Sequence, residues 1–211
     1  MYPAGVNQSW QGALYAIKGV DDLKFTADLL AHLRQNYCID STQVYASGKS
    51  NGGGFVDLLA CSSHDDEFVA FAMASAALYS DNSVAQCHAC KARPILESHG
   101  EKDATIKYDG GVSHNASLPD IRSWIAWWAQ RDGCASICAD CKTEVQEKGY
   151  NVISYSCGGL KDVVQHIMMC RSWGTAGRAA QGITAIVPGL IVVIERWIIR
   201  LLCWISSANG I

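Results

Sequence analysis

A strong excess of charge of either sign is missing from this chain. Its 17 Lys and Arg stand against 20 Asp and Glu, leaving −3 over 211 residues. It therefore has no basic footprint of the kind that holds nucleic acid. A clean apolar span is missing as well. Residues 189–205 look superficially like one, but Glu195, Arg196 and Arg200 interrupt them. Charges near the centre of a bilayer are costly, so the segment reads as buried or misassigned rather than as an anchor. The opening Met1-Tyr2-Pro3 runs straight into polar, turn-like sequence, with neither the charged nor the apolar region of a secretory signal. No lysine occurs beyond Lys161, no aspartate beyond Asp162 and no histidine beyond His166. Charged residues make up only 18% against 49% hydrophobic, which excludes a disordered chain and leaves a globular one with a full core.

Cysteine is what the chain has in excess. Ten in this length is more than a reducing compartment usually tolerates, and points to a disulfide framework and a secreted protein. A disulfide-rich chain without a signal is in tension with itself: either the thiols are reduced or the true N-terminus is missing. Cys87-His88-Ala89-Cys90 and Cys138-Ala139-Asp140-Cys141 are each C-x-x-C and would also suit zinc in an interaction module. Zinc ranks below disulfides, because the two pairs lie far apart and Cys134 and Cys157 offer other partners. Cys134 with Cys157 is the expected bridge, closing the two ends of a hairpin region, whereas Cys170 and Cys203 sit in a divergent tail. Asn7-Gln8-Ser9 and Asn115-Ala116-Ser117 fit the N-glycosylation pattern.

Gly48-Lys49-Ser50-Asn51-Gly52 carries the most information. It fits Gly-x-Ser-x-Gly, in which a serine sits on a sharp, strained strand-to-helix turn and glycines relieve the crowding on either side. Residues 43–47 before it read as a short buried strand, and residues 53–61 after it as a helix. Upstream, Asp21 and Asp22 open a helix that runs to about Asn36 with Leu23, Ala27, Leu30 and Leu33 at helical spacing. Residues 68–73 and 93–98 read as two further strands. A second helix opens at 118–120 and ends near Gly133, with Ile121, Trp124, Ile125 and Trp128 as its apolar stripe; Trp124, Trp127 and Trp128 are expected to pack a core rather than bind a ligand. Residues 146–155 alternate about Gly149 as a hairpin. Strands alternating with helices predict an α/β fold with a mostly parallel sheet flanked by helices.

A nucleophilic serine needs a base and a group that orients it. With the order serine, acid, histidine, Asp103 is the expected acid, since it follows the 93–98 strand and a short turn; the alternative is a surface turn aspartate. Asp109, in a Tyr-Asp-Gly-Gly turn, is the weaker rival. Two histidines follow Asp103. His114 comes early, in a polar loop. His166 ends a strand-like run, where a packed core histidine is the commoner outcome, and it stands only as an alternative base. The Asn51 N–H is the expected oxyanion donor. Tyr79 lies after the 68–73 strand, with no role assigned.

The motifs resemble fungal secreted feruloyl esterases, relatives of the polyhydroxybutyrate depolymerases. The similar stretches are 2–12, Gly19 to Asp22, Tyr37 to Asp40, 44–61, Pro94 to Glu97 with His99, Gly100, Asp103, Ile106 and Tyr108, then Trp128 to Cys134 and Tyr155 to Cys157. The resemblance covers about residues 2–166 and implies an α/β-hydrolase domain, incomplete at both ends, followed by a divergent tail over 167–211. It implies Ser50 as nucleophile, Asp103 as acid, and feruloylated plant cell-wall polysaccharide as substrate, with no metal or organic cofactor. Acetyl-xylan or polyester cleavage is the alternative esterase reading, and a catalytically inactive product is the other. In the family the base lies in a Gly-His-x-Trp-Pro motif, where this chain has Cys170-Arg171-Ser172-Trp173-Gly174. The tail reads as out-of-frame or intron-derived sequence, and the signal, the first strands and the upstream oxyanion loop are expected to precede residue 1.

Overall fold

The computed structural model describes residues 3–79, 87, 91–134, 141–147, 149–157 and 159–170, together with the backbone of 190–194. A mixed seven-stranded sheet organises it, in the order β6-β7-β8-β3-β2-β1-β9. The strands are β1 (Val44–Lys49), β2 (Ala70–Ala74), β3 (Ile95–Gly100), β6 (Lys142–Glu147), β7 (Tyr150–Cys157), β8 (Leu160–Met169) and β9 (Leu190–Ile194). A short separate hairpin joins β4 (Gly111–Ser113) to β5 (Ala116–Leu118). The helices are α1 (Asp22–Asn36), α2 (Asn51–Ala60) and α3 (Ile121–Arg131).

The expected mostly parallel sheet is half right. β1, β2, β3 and β8 form a parallel core, while β6, β7 and β9 pair antiparallel at the flanks. Connection length explains the difference. β1 to β2 and β2 to β3 are joined by long crossovers, which parallel pairing requires. β6, β7 and β8 are joined by tight turns at Gly149 (φ 98°) and Gly159 (φ 81°), which permit only antiparallel return. The exposed edge strand β6 carries Lys142, Glu144 and Glu147, charges that discourage further strand addition.

Helix boundaries follow the capping chemistry. The Asp21 carboxylate accepts from the Lys24 N–H and starts α1, and the Asp120 carboxylate does the same for Ser123 in α3. The core gathers Leu30 of α1, Phe55, Val56 and Leu59 of α2, Phe71 and Met73 of β2, and Trp124, Ile125 and Trp128 of α3. The Trp128 indole N–H donates to the Asp57 carboxylate at 2.9 Å, so the tryptophan stripe is a packed face, as the helical spacing predicted.

Between described residues, disulfides join Cys61 to Cys87 and Cys134 to Cys157. The second is the bridge expected from the hairpin. Cys87 and Cys141, one from each C-x-x-C, are both in disulfides, so neither thiolate is left for zinc. β8 runs three residues past His166, and β9 joins the same sheet beside β1; the remainder of the tail lies outside the described residues. Among the described residues no helix is long and apolar enough to cross a membrane.

Candidate functional site

The C-terminal ends of three adjacent parallel strands meet at one edge, where Lys49, Ala74 and Ser98 are in register. Ser50 is the next residue after β1 and the cap of α2, at φ 53° and ψ −122°. That left-handed conformation is unfavourable for any residue with a Cβ and survives only where its surroundings over-determine it. They do so here. The Ser50 N–H donates to the Ala74 carbonyl at 3.0 Å, and the Ser50 carbonyl accepts from Gly54 at 3.0 Å and from Ala77 at 2.9 Å. A Cβ on Gly48 would lie 2.2 Å from the Gly52 carbonyl oxygen, and one on Gly54 would lie 2.1 Å from that of Ala77. The first glycine of Gly-x-Ser-x-Gly is thus required by close packing against the turn, and Gly54, beyond the motif, by the approach of Ala77.

Asn51 begins α2, so its N–H has no partner within the helix. Its side chain is fixed: Oδ1 accepts from the Trp10 N–H at 2.7 Å, and Nδ2 donates to the Trp10 carbonyl at 3.1 Å. The next residue is tied to the start of α1, where the Gln11 N–H donates to Asp22 and the Asp22 N–H donates back to Gln11 at 2.6 Å. Trp10 stacks on Phe55 of α2. The segment around Trp10 and Gln11 is thus clamped against the first turns of two helices. Sequence reasoning matched these residues as a motif but missed the clamp, because amide-to-backbone pairing across 41 residues leaves no local signal.

Asp103 follows β3 and is 4% exposed. Its N–H donates to the Gly100 carbonyl, and its Oδ1 accepts from the Thr105 and Ile106 N–H groups at 2.9 and 3.0 Å. Oδ2 is buried and makes no hydrogen bond among the described residues. A buried carboxylate oxygen without a donor is expensive and calls for an explanation. Lys49 stands near enough for its charge to be felt: burial lowers the Lys49 pKa, and the Asp103 carboxylate opposes that.

Beneath this edge lies a polar cluster that the sequence did not announce. Glu97, His99 and His166 are fully buried. His99 Nδ1 is 2.9 Å from Glu97 Oε1, and its Nε2 is 2.8 Å from the Ile106 carbonyl oxygen. His166, paired in register with Glu97 across β3 and β8, holds Nδ1 2.8 Å from Glu97 Oε2. Its Nε2 is 2.9 Å from the Tyr108 hydroxyl. Burial alone would push Glu97 up, but the His99 charge and hydrogen bonds from both histidines outweigh it and hold the group down at about 2. For His99 burial works toward the neutral form, and the Glu97 charge and hydrogen bond override it, so the pKa rises. Alternation along a strand hints at Glu97 and His99 sharing a face. Nothing local in the sequence tells that His166 joins them.

His166 is therefore a core residue with both nitrogens engaged, in line with its strand context, and it touches neither Ser50 nor Asp103. His114 is exposed at the β4–β5 turn, against Ser113 and the Tyr15 ring. Asp109 is exposed and pairs with Arg122. Tyr79 is buried beside Ala77, Ile106 and Leu118, with its hydroxyl 3.4 Å from that of Tyr15. The structure thus brings Ser50, Asn51 and Asp103 to one strand edge. Among the described residues no histidine is hydrogen-bonded to Asp103.

No family model matches the chain. A feruloyl esterase B from Piromyces equi is 29% identical over 121 residues, which is 54% of this chain and 22% of that protein. The chain thus spans about a fifth of the length of this curated relative. The likeness is distant and partial, and it suggests an ester hydrolase. The relative's name matches the family that the motifs resemble.

Proposed function

We propose that this chain carries the nucleophile and the acid of a serine esterase acting on feruloyl and related hydroxycinnamoyl esters of plant cell-wall polysaccharide. The observation that carries the reading is Ser50 at φ 53° and ψ −122° between a parallel strand and a helix, with Asp103 at the same edge offering an unpaired Oδ2. In the reaction Ser50 Oγ attacks the ester carbonyl carbon and forms a tetrahedral adduct. The proton leaves Oγ for an imidazole that Asp103 Oδ2 orients. The Asn51 N–H, at the positive end of α2, donates to the developing oxyanion. Collapse of the adduct expels the sugar alcohol, which takes the proton from the imidazole, and leaves a feruloyl-Ser50 ester. Water then attacks this ester by the same route and releases the free acid. No step calls for a metal or an organic cofactor.

One specific observation favours a second reading for the chain as it stands. Cys170-Arg171-Ser172-Trp173-Gly174 stands where the family that the motifs resemble carries its base, and His166 is committed to Glu97 and Tyr108. Turnover is then impaired, leaving residual catalysis from binding and oxyanion stabilisation. The disulfides fit an oxidising, extracellular setting.

The test combines methyl ferulate hydrolysis with intact-mass detection of a fluorophosphonate adduct, on the wild type and Ser50→Ala. An adduct on Ser50 that the variant lacks supports the nucleophile. Ferulate release slower than in complete triad enzymes by about 10³-fold or more supports the impaired reading. Modification at another serine, or equal hydrolysis by Ser50→Ala, refutes the assignment.

A further inference from the structure

We propose that His99 is the positioning residue for Asp103: with Glu97 behind it, it fixes the carbonyl of Ile106, the residue whose own N–H holds the Asp103 carboxylate. The inference rests on Asp103 being the acid of the proposed esterase. The chain of contacts is continuous. His99 Nε2 is 2.8 Å from the Ile106 carbonyl oxygen. The Ile106 N–H donates to Asp103 Oδ1 at 3.0 Å, and the Thr105 N–H donates to the same oxygen at 2.9 Å. Oδ1 is thereby saturated from one side, and Oδ2 is left to face elsewhere. One end of a single turn grips the acid while its other end is bolted to the core.

The protonation state follows from the partners. Ile106 offers a carbonyl, which only accepts. Glu97 Oε1, as a carboxylate, only accepts as well. An imidazole that satisfies both must carry a proton on each nitrogen, so His99 is a buried imidazolium and Glu97 its counter-ion. Glu97 keeps its second oxygen against His166 Nδ1, and the Tyr108 hydroxyl, 2.9 Å from His166 Nε2, ties in the segment just beyond Ile106. The titratable groups around His99 are therefore Glu97 on its own strand, His166 on β8, and Tyr108 and Asp103 on the connecting loop. An ionic cluster at zero exposure is a costly way to fill a core that apolar side chains would fill as well. What apolar side chains cannot do is hold the Ile106 carbonyl.

Amide hydrogen exchange on the full chain, alongside methyl ferulate kinetics, tests this with His99→Gln. Exchange at Thr105 and Ile106 is expected to accelerate by about tenfold or more, while β1 and β2 amides keep their protection. Wherever turnover is measurable, kcat is expected to fall by about 10²-fold with KM unchanged, as for a catalytic group displaced by about 1 Å. Unchanged exchange at the two amides in a folded variant overturns the proposal, as does a uniform loss of protection across the sheet, which would mark a merely structural histidine. If His99→Gln does not fold, Glu97→Gln, which leaves the ring in place, takes the same expectation. A wild type that neither turns over ester nor labels at Ser50 refutes the esterase reading, whereas the exchange experiment still decides whether His99 holds the Asp103 turn.

Discussion

Replacing Ser50 by glycine is expected to make the protein more stable than replacing it by alanine. Both variants lose Oγ, so both lose the nucleophile, and their comparison isolates the backbone. Ser50 sits at φ 53° and ψ −122°, a region open to glycine and closed to residues with a Cβ, where the strain is of order 1–3 kcal/mol. Alanine keeps that strain and glycine removes it. Against this stands the larger conformational entropy of glycine in the unfolded chain, about 0.5–1 kcal/mol. The net advantage of Ser50→Gly over Ser50→Ala is therefore about 1 kcal/mol at the middle of both ranges, and at most about 2.5 kcal/mol. The hydrogen bonds from Ser50 N–H to Ala74 and from Gly54 and Ala77 to Ser50 are backbone groups that survive both substitutions, so they cancel. Urea denaturation of the two variants at one pH measures the difference as a shift in midpoint at constant slope. Equal midpoints, or alanine the more stable, would show that the turn is relaxed, and the elbow reading would lose its physical basis.

Other outcomes follow from the same geometry. Gly48→Ala drives a Cβ to 2.2 Å from the Gly52 carbonyl and is expected to lose several kcal/mol or fail to fold, read by the yield of soluble protein and its thermal midpoint. Removing the Cys134–Cys157 bridge, which closes a loop with sequence separation 23, should cost about 3 kcal/mol, seen in denaturation of Cys134→Ser/Cys157→Ser. Glu97, held at about 2 against an ordinary 4.5, contributes about 3 kcal/mol. A depressed carboxylate pKa makes that contribution complete above pH 4.5 and loses it as pH falls toward 2. His99, with its pKa raised, contributes fully below its ordinary value of 6.5 and less as pH rises through its folded value. The stability gap between wild type and Glu97→Gln should therefore be widest between these limits and narrow on both sides; a gap independent of pH would refute the ionic assignment.

The parts legible in the sequence were those set by local rules. The turn at Ser50 declares itself because a strained turn demands glycine at fixed offsets, and Gly48 meets the obstacle that explains it. The helices beginning at Asp22 and Ile121 were marked by capping aspartates one residue earlier. That Asp103 lies in the turn just after a strand was legible from the spacing. What could not be read depends on pairing across the chain. Whether a strand runs parallel is decided by how far the chain travels before returning, and the turns at Gly149 and Gly159 set the β6–β7 and β7–β8 pairs antiparallel. The Glu97–His99–His166–Tyr108 cluster joins residues up to 69 apart, and no periodicity marks a buried ion pair of that span. The same holds for the clamp of Asn51 on Trp10.

These two hidden contacts bear on one question: how two loop residues at the ends of separate strands are kept rigid enough for chemistry. A catalytic group on a free loop would wander by more than the fraction of an ångström that orientation tolerates. Here neither loop is free. Ser50 is held through backbone bonds to Ala74, Gly54 and Ala77, and the helix that follows it is clamped by Asn51 to the Trp10 segment. Asp103 is held by the Thr105 and Ile106 amides, and Ile106 is bolted through His99 to a charged cluster in the core. β8 runs parallel to β3 and pairs Met169 with Gly100, so the chain beyond Met169 leaves the sheet at the edge where Asp103 begins its turn. An imidazole delivered from that edge would meet a carboxylate oxygen already buried and already without a donor. On the proposed esterase reading, that oxygen is the half of the site that the core supplies. The partner that would complete it would then come from outside the cluster beneath.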